Sequence, residues 1–178
     1  MGQFLDQIVA ASRRGRGFAE KAVVGVTPQL FARKPRFETS AGVKVVDANH
    51  PAFVYGHLAL YPARIGSMLD LDTSSFNAPA DFSDLFKAGV ECKDDPEGRI
   101  YPAMDRITAA FFSNYDALYE KMAKVDDSAL LKATPEERYR AHFPTTGMAV
   151  AFMLTSHVMV HMGQVSTWRR CFGLPPLM

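Results

Sequence analysis

Residues 155–173 read TSHVMVHMGQVSTWRRCFG, and with the preceding GMAVAFML (147–154) they decide the fold. Thr145 or Thr146 can cap a helix here, Gly173 can stop it, and Pro175 lies just beyond. At 3.6 residues per turn, Val150, Leu154, His157, His161, Gln164 and Trp168 share one face. The apolar run 147–163 is slightly short for a membrane span, and it carries two imidazoles, which are costly in lipid. The pattern predicts a core helix of a globular protein.

Working outward, three more segments carry the same period. The first runs from about Gln3 to Val24, with Phe4, Ile8, Ala11, Gly15, Phe18 and Ala22 as its apolar stripe. Arg13, Arg14 and Arg16 lie off that stripe and read as a solvated face. The second is NHPAFVYGHLALYPARIGSMLDL (49–71), with Asn49 as cap, Pro51 in the first turn and a kink expected at Pro62. Phe53, His57, Leu60, Arg64 and Met68 fall on one of its faces. The third opens at Pro102 and runs to about Val125, with Met104, Phe111, Tyr115, Leu118 and Met122 facing the core. Between the second and third, residues 72–99 read as loop with one short helix near Phe82–Lys87, and DDPEG (94–98) as a solvated turn. GVKVVD (42–47) is a candidate extended piece. The expectation is an all-α fold: one domain, 1–178, a four-helix bundle with a long crossover connection between its second and third helices.

Composition narrows the function. The chain has 178 residues, 48% of them hydrophobic, enough to bury a core without staples. Its net charge of +1 lacks the basic excess of a nucleic-acid binder. Two isolated cysteines, Cys92 and Cys171, do not form a secreted disulfide framework. MGQFLDQIVAASRRGRG shows no signal-peptide pattern, and Asp6 breaks the myristoylation pattern after Gly2. A soluble cytoplasmic protein is expected, with no nucleic-acid and no membrane partner.

The chemistry lies in the histidines. Side chains four apart on a helix stand about 5–6 Å apart at Cβ, so His157 and His161 can reach one ion. His57, on the apolar face of the second segment, adds a third imidazole. Buried imidazoles need partners for both ring nitrogens, and a shared divalent cation supplies one to each. Three imidazoles leave a tetrahedral ion an open position for water or substrate. If the second and fourth helices are antiparallel, the site lies in the half of the bundle near Asn49 and Gly173.

Two stretches, NHPAFVYGHLALYP (49–62) and HVMVHMGQVSTWRRCFGLP (157–175), resemble the GHL stretch and the closing H-x-x-x-H-x-G-Q helix of the DinB-like superfamily of four-helix metal proteins. The resemblance implies an up-down-down-up helix order, often a homodimer, and one divalent ion, zinc or nickel foremost, held by His57, His157 and His161. It also implies a metal-dependent enzyme acting on a small-molecule substrate, either a thiol S-transferase using a low-molecular-weight thiol or a hydrolase.

Around that site, Gln164 is a candidate hydrogen-bond partner for a ligand imidazole or a packing amide. Trp168 is a candidate pocket wall or a core residue. Arg64 can bind a substrate carboxylate or pair with an acid such as Asp70. Asp105, in the first turn of the third helix, suits the helix dipole and is a candidate fourth ligand. His50 is expected to be exposed beside the Asn49 cap, and His142 has no assigned role. The rival reading is a non-catalytic protein whose ion is a folding clamp.

Overall fold

The run from Pro51 to Ala59 is wholly buried in the computed structural model, which describes residues 2–177. In chain order the elements are α1 (Gln3–Ala22), α2 (Pro28–Phe31), β1 (Arg36–Thr39), β2 (Gly42–Val45), α3 (Pro51–Ala59) and α4 (Tyr61–Met68). They continue with α5 (Phe82–Phe86), α6 (Met104–Met122), α7 (Ser128–Leu131), α8 (Glu137–Arg140), α9 (Thr146–Leu154) and α10 (Ser156–Cys171). The chain is mostly helical. Its one described sheet is the antiparallel hairpin β1–β2, whose second strand covers the first four residues of the expected extended piece 42–47.

Every residue of α3 is buried, because neighbours pack all round it: α6 most extensively, with α5 and α10 beside it. Its cap is His50 rather than Asn49. The His50 ring accepts from Phe53 N at 3.1 Å through Nδ1 and donates to Lys93 O at 2.9 Å through Nε2. His50 is therefore buried, not exposed as its place beside a cap suggested. The expected interruption near Pro62 falls at Leu60, between α3 and α4. Proline has no N–H to give the carbonyl four residues back and its ring crowds that carbonyl, so the helix breaks before it. Asn114 of α6 donates to Ala59 O at 3.2 Å and covers a carbonyl at this break.

α1 buries Leu5, Val9, Ser12, Gly15, Ala19 and Ala22. Only Gly15 and Ala22 belong to the stripe read from sequence, and Phe4 is 73% exposed. Two adjacent rows of α1 are apolar, and packing selects the one with small residues. α10 lies against it closely enough that a Cβ at Gly15 would stand 3.4 Å from Val158 Cγ1. The Asp127 carboxylate, far along the chain, accepts from Phe4 N and Leu5 N at 3.0 Å and caps the helix.

The closing run is two helices. Thr145 caps α9, accepting from Met148 N. Thr155, with φ −119° and ψ −77°, separates α9 from α10. By length and composition Thr146–Cys171 could cross a membrane, but 44% of its apolar window is buried inside the protein. It packs against α1, α3 and α4.

DDPEG is not a solvated turn throughout. Asp95 is buried and accepts from the backbone N–H groups of Arg99, Ile100 and Tyr101. Asp94 binds Arg33 and Arg36. Asp95 thus closes a turn within the long connection, and Asp94 ties the connection to the segment between α2 and the hairpin. Arg169 of α10, buried, donates to Ala22 O, Val24 O and Pro175 O, tying the end of α1 to the C-terminal segment.

Candidate metal centre

His57 comes from α3 and His157 and His161 from α10, and the structure brings all three together. Their ligating nitrogens lie within 4.8 Å of one another. The closest approaches are His57 Nε2 to His157 Nε2 at 3.3 Å and His161 Nε2 to His157 Nε2 at 3.1 Å. Three nitrogens each about 2.0–2.1 Å from a tetrahedral ion stand about 3.3 Å apart. Two of the three nitrogen pairs already have about that spacing and the third lies within 4.8 Å, so the cluster could hold a metal ion.

The outer nitrogens decide which inner ones are free. Phe86 O can only accept, so His57 Nδ1, 2.8 Å away, carries the hydrogen and donates it, leaving Nε2 bare. His161 Nδ1 donates to Gln164 Oε1 at 3.0 Å, and the same oxygen accepts from Asn49 Nδ2 at 3.2 Å. His161 Nε2 is then bare as well. A neutral His157 can give one hydrogen to one of these nitrogens, not to both, whereas a cation satisfies all three. Such outer hydrogen bonds orient metal-ligating imidazoles and fix their tautomers.

Electrostatics agree. Burial holds His57 below its ordinary value. Burial, then the like charges of His161 and His57, pushes His157 to about 3. Burial and then His57 lower His161 to about 4, against the Gln164 hydrogen bond. The rings are therefore neutral at pH 7, the form that ligates metal.

Local sequence explains the positioning. Gly56 lets α5 approach α3: a Cβ there would lie 2.5 Å from the Phe86 ring. That approach brings the Phe86 carbonyl to His57. Phe53 stacks on the His57 ring with centroids 6.2 Å apart. Tyr61, one turn after His57, lies 5.1 Å from its ring and 4.3 Å from that of His157. On the other flank Phe152 stacks on His157 at 5.9 Å. His157 is the least buried of the three histidines, and its Nδ1 has no protein partner among the described residues.

The other expected site residues divide. Gln164 is the hydrogen-bond partner of His161. Trp168 is buried and donates to Arg33 O at 2.7 Å; one edge walls a surface cavity of about 500 Å3 against the hairpin. Arg64 pairs not with Asp70 but with Glu136, at 2.9 Å, and with the Tyr139 hydroxyl. Asp70 is bound by Lys132 instead. Asp105 is exposed on α6 and is not part of the cluster. His142 is exposed and also lies outside it. Sequence reasoning missed the Phe86 carbonyl, a backbone group with no signature, and Tyr61, which the i,i+4 spacing from His57 could have found. No protein-family model matches this chain, and no curated protein matches it.

Proposed function

We propose that this chain is a DinB-like metal-dependent enzyme in which the Nε2 atoms of His57, His157 and His161 hold one divalent ion, zinc or nickel, leaving a position open for a small-molecule substrate. The observation that carries the reading is the convergence of three neutral imidazoles, with His157 Nε2 at about tetrahedral spacing from the other two Nε2 atoms and with the outer N–H groups of His57 and His161 already engaged. No carboxylate belongs to the cluster among the described residues, so the ion keeps its full charge as a Lewis acid. That suits thiol transfer, with a low-molecular-weight thiol as cosubstrate, or hydrolysis. The fold in this reading is a single domain, 1–178, built as an up-down-down-up four-helix bundle. Its helices are α1, α3–α4, α6 and α9–α10, and the long segment between α4 and α6 is the crossover. The pairwise packing of these runs supports it. The protein is taken as a cytoplasmic homodimer with no nucleic-acid or membrane partner. The near-neutral charge supports the absence of nucleic acid, and Met148, Phe152 and Val160, exposed along α9 and α10, support a second copy.

The test is elemental analysis of protein reconstituted with zinc or nickel. About one ion per chain is expected, with His157→Ala losing it while far-UV circular dichroism is retained. Wild-type protein without bound ion defeats the proposal. A second reading, the ion as a folding clamp, draws on the 100-residue separation of His57 and His157. Under it, chelation lowers the melting temperature sharply, because binding energy is then folding energy. Under the catalytic reading, chelation removes activity with a much smaller loss of stability.

A further inference from the structure

One cavity, of about 90 Å3, abuts the metal cluster, and His57 is the wall they share. Its other walls are Leu60, Tyr61, Arg64, Lys87 and Ala88. Two of these six residues are cations and none is an acid. We propose that this cavity binds an oxyanion group of the substrate, a carboxylate or phosphate, beside the ion. The inference rests on the metal-centre reading above and names the substrate class for that same site.

Three observations carry it. First, Arg64 is held but not used up. Its Nη2 is fixed by Glu136 and Tyr139, while Nε and Nη1 have no protein acceptor among the described residues. A guanidinium fixed at one nitrogen presents its remaining donors at little entropic cost. Second, the charge near the cavity is unbalanced. Glu136 is shared between Arg64 and Arg138, so one carboxylate faces two guanidiniums. Lys87 has only a distant contact with Asp84, at 3.9 Å. A divalent ion on three neutral imidazoles adds two further positive charges, and an anionic ligand offsets them. Third, the volume suits one functional group. It is well below the roughly 300–1,000 Å3 of sites that enclose a whole drug-sized ligand, so the rest of the substrate must extend outside it.

The experiment uses the Co(II)-loaded protein, whose visible absorption reports changes at the ion. Acetate and inorganic phosphate are titrated in separate arms. A saturable spectral shift is expected in at least one arm, and the responding arm tells a carboxylate from a phosphate. Arg64→Gln should weaken that anion about tenfold, equivalent to about 1.4 kcal/mol, with Co(II) affinity unchanged. Arg64→Lys should restore part of the loss. Lys87→Gln, at an exposed position, should weaken the anion by a smaller factor. Equal anion affinity in wild type, Arg64→Gln and Lys87→Gln means that the anion binds the ion alone, and the inference falls while the metal centre stands. No shift in either arm overturns it as well. A wild type that takes up no Co(II) defeats the metal-centre reading itself, and this inference with it.

Discussion

The two helical runs that carry the three clustered histidines are each broken once, close to the cluster, and by different means. α3 gives way to α4 at Leu60, three residues after His57. α9 gives way to α10 at Thr155, two residues before His157. Pro62 announces the first break, and Asn114 covers a carbonyl beside it from a neighbouring helix. Nothing as loud announces the second. There the Thr155 hydroxyl donates to Ala151 O at 2.6 Å, one turn back on its own helix. A threonine bonding back in this way bends helices, but threonines do so without breaking them too. A covalent constraint is legible from one residue; a hydrogen-bond choice depends on its surroundings.

The caps differ in the same way. α3 is capped by an imidazole and α9 by a hydroxyl, so only the first can titrate. Burial lowers His50 from an ordinary 6.5 to about 4. Protonation at Nδ1 would also remove the acceptor for Phe53 N.

The largest expected effect that separates the two runs is on metal. His57→Ala and His157→Ala should each abolish stoichiometric binding, measured by elemental analysis after dialysis. A variant that keeps its ion at wild-type affinity shows that the histidine it lacks is not a ligand.

Next comes pH. The unfolded chain binds a proton at His50 near pH 6.5 and the folded protein does so only near pH 4, so the contribution is whole above 6.5 and lost as pH falls through 4. At 1.36 kcal/mol per unit this is about 3 kcal/mol. Urea melts of metal-free protein across that window should show stability falling with pH. His50→Asn, which can still cap α3, should flatten the slope relative to wild type. An unchanged slope removes His50 as a titrating cap.

Gly56→Ala should cost about 2 kcal/mol, as overpacking of a filled core does. It should weaken metal binding too, since displacing Phe86 moves the carbonyl that orients His57. Loss of stability with metal affinity intact would disconnect that carbonyl from the site. Thr155→Val should cost least, about 1 kcal/mol for one hydrogen bond, read from the denaturation midpoint. A gain in stability would show that the break strains the helix rather than being held by the hydroxyl.

Much of the candidate site was legible beforehand because a helix is a ruler. His157 and His161 share a face by spacing alone, and His57 stood out as a polar group in an apolar run. Gln164, one turn on, followed from the same count. Arg64 shows where such counting ends. Its partners, Glu136 and Tyr139, lie more than seventy residues away, so only the folded chain selects them over the nearby Asp70. In α1 periodicity left two adjacent apolar rows, and the approach of α10 decided between them.

Sequence alone determined what local rules control: the helical runs, an interruption near Pro62 (expected as a kink), the short helix in the long connection and the imidazole pair. Those depend on covalent geometry and on side chains within two turns of one another. Tertiary structure alone decided the face α1 buries, the burial of His50 and Asp95, the break at Thr155 and the hydrogen bonds that leave two Nε2 atoms bare. Each of these depends on a competition among surfaces and donors from distant parts of the chain, and a linear pattern carries no record of which one wins.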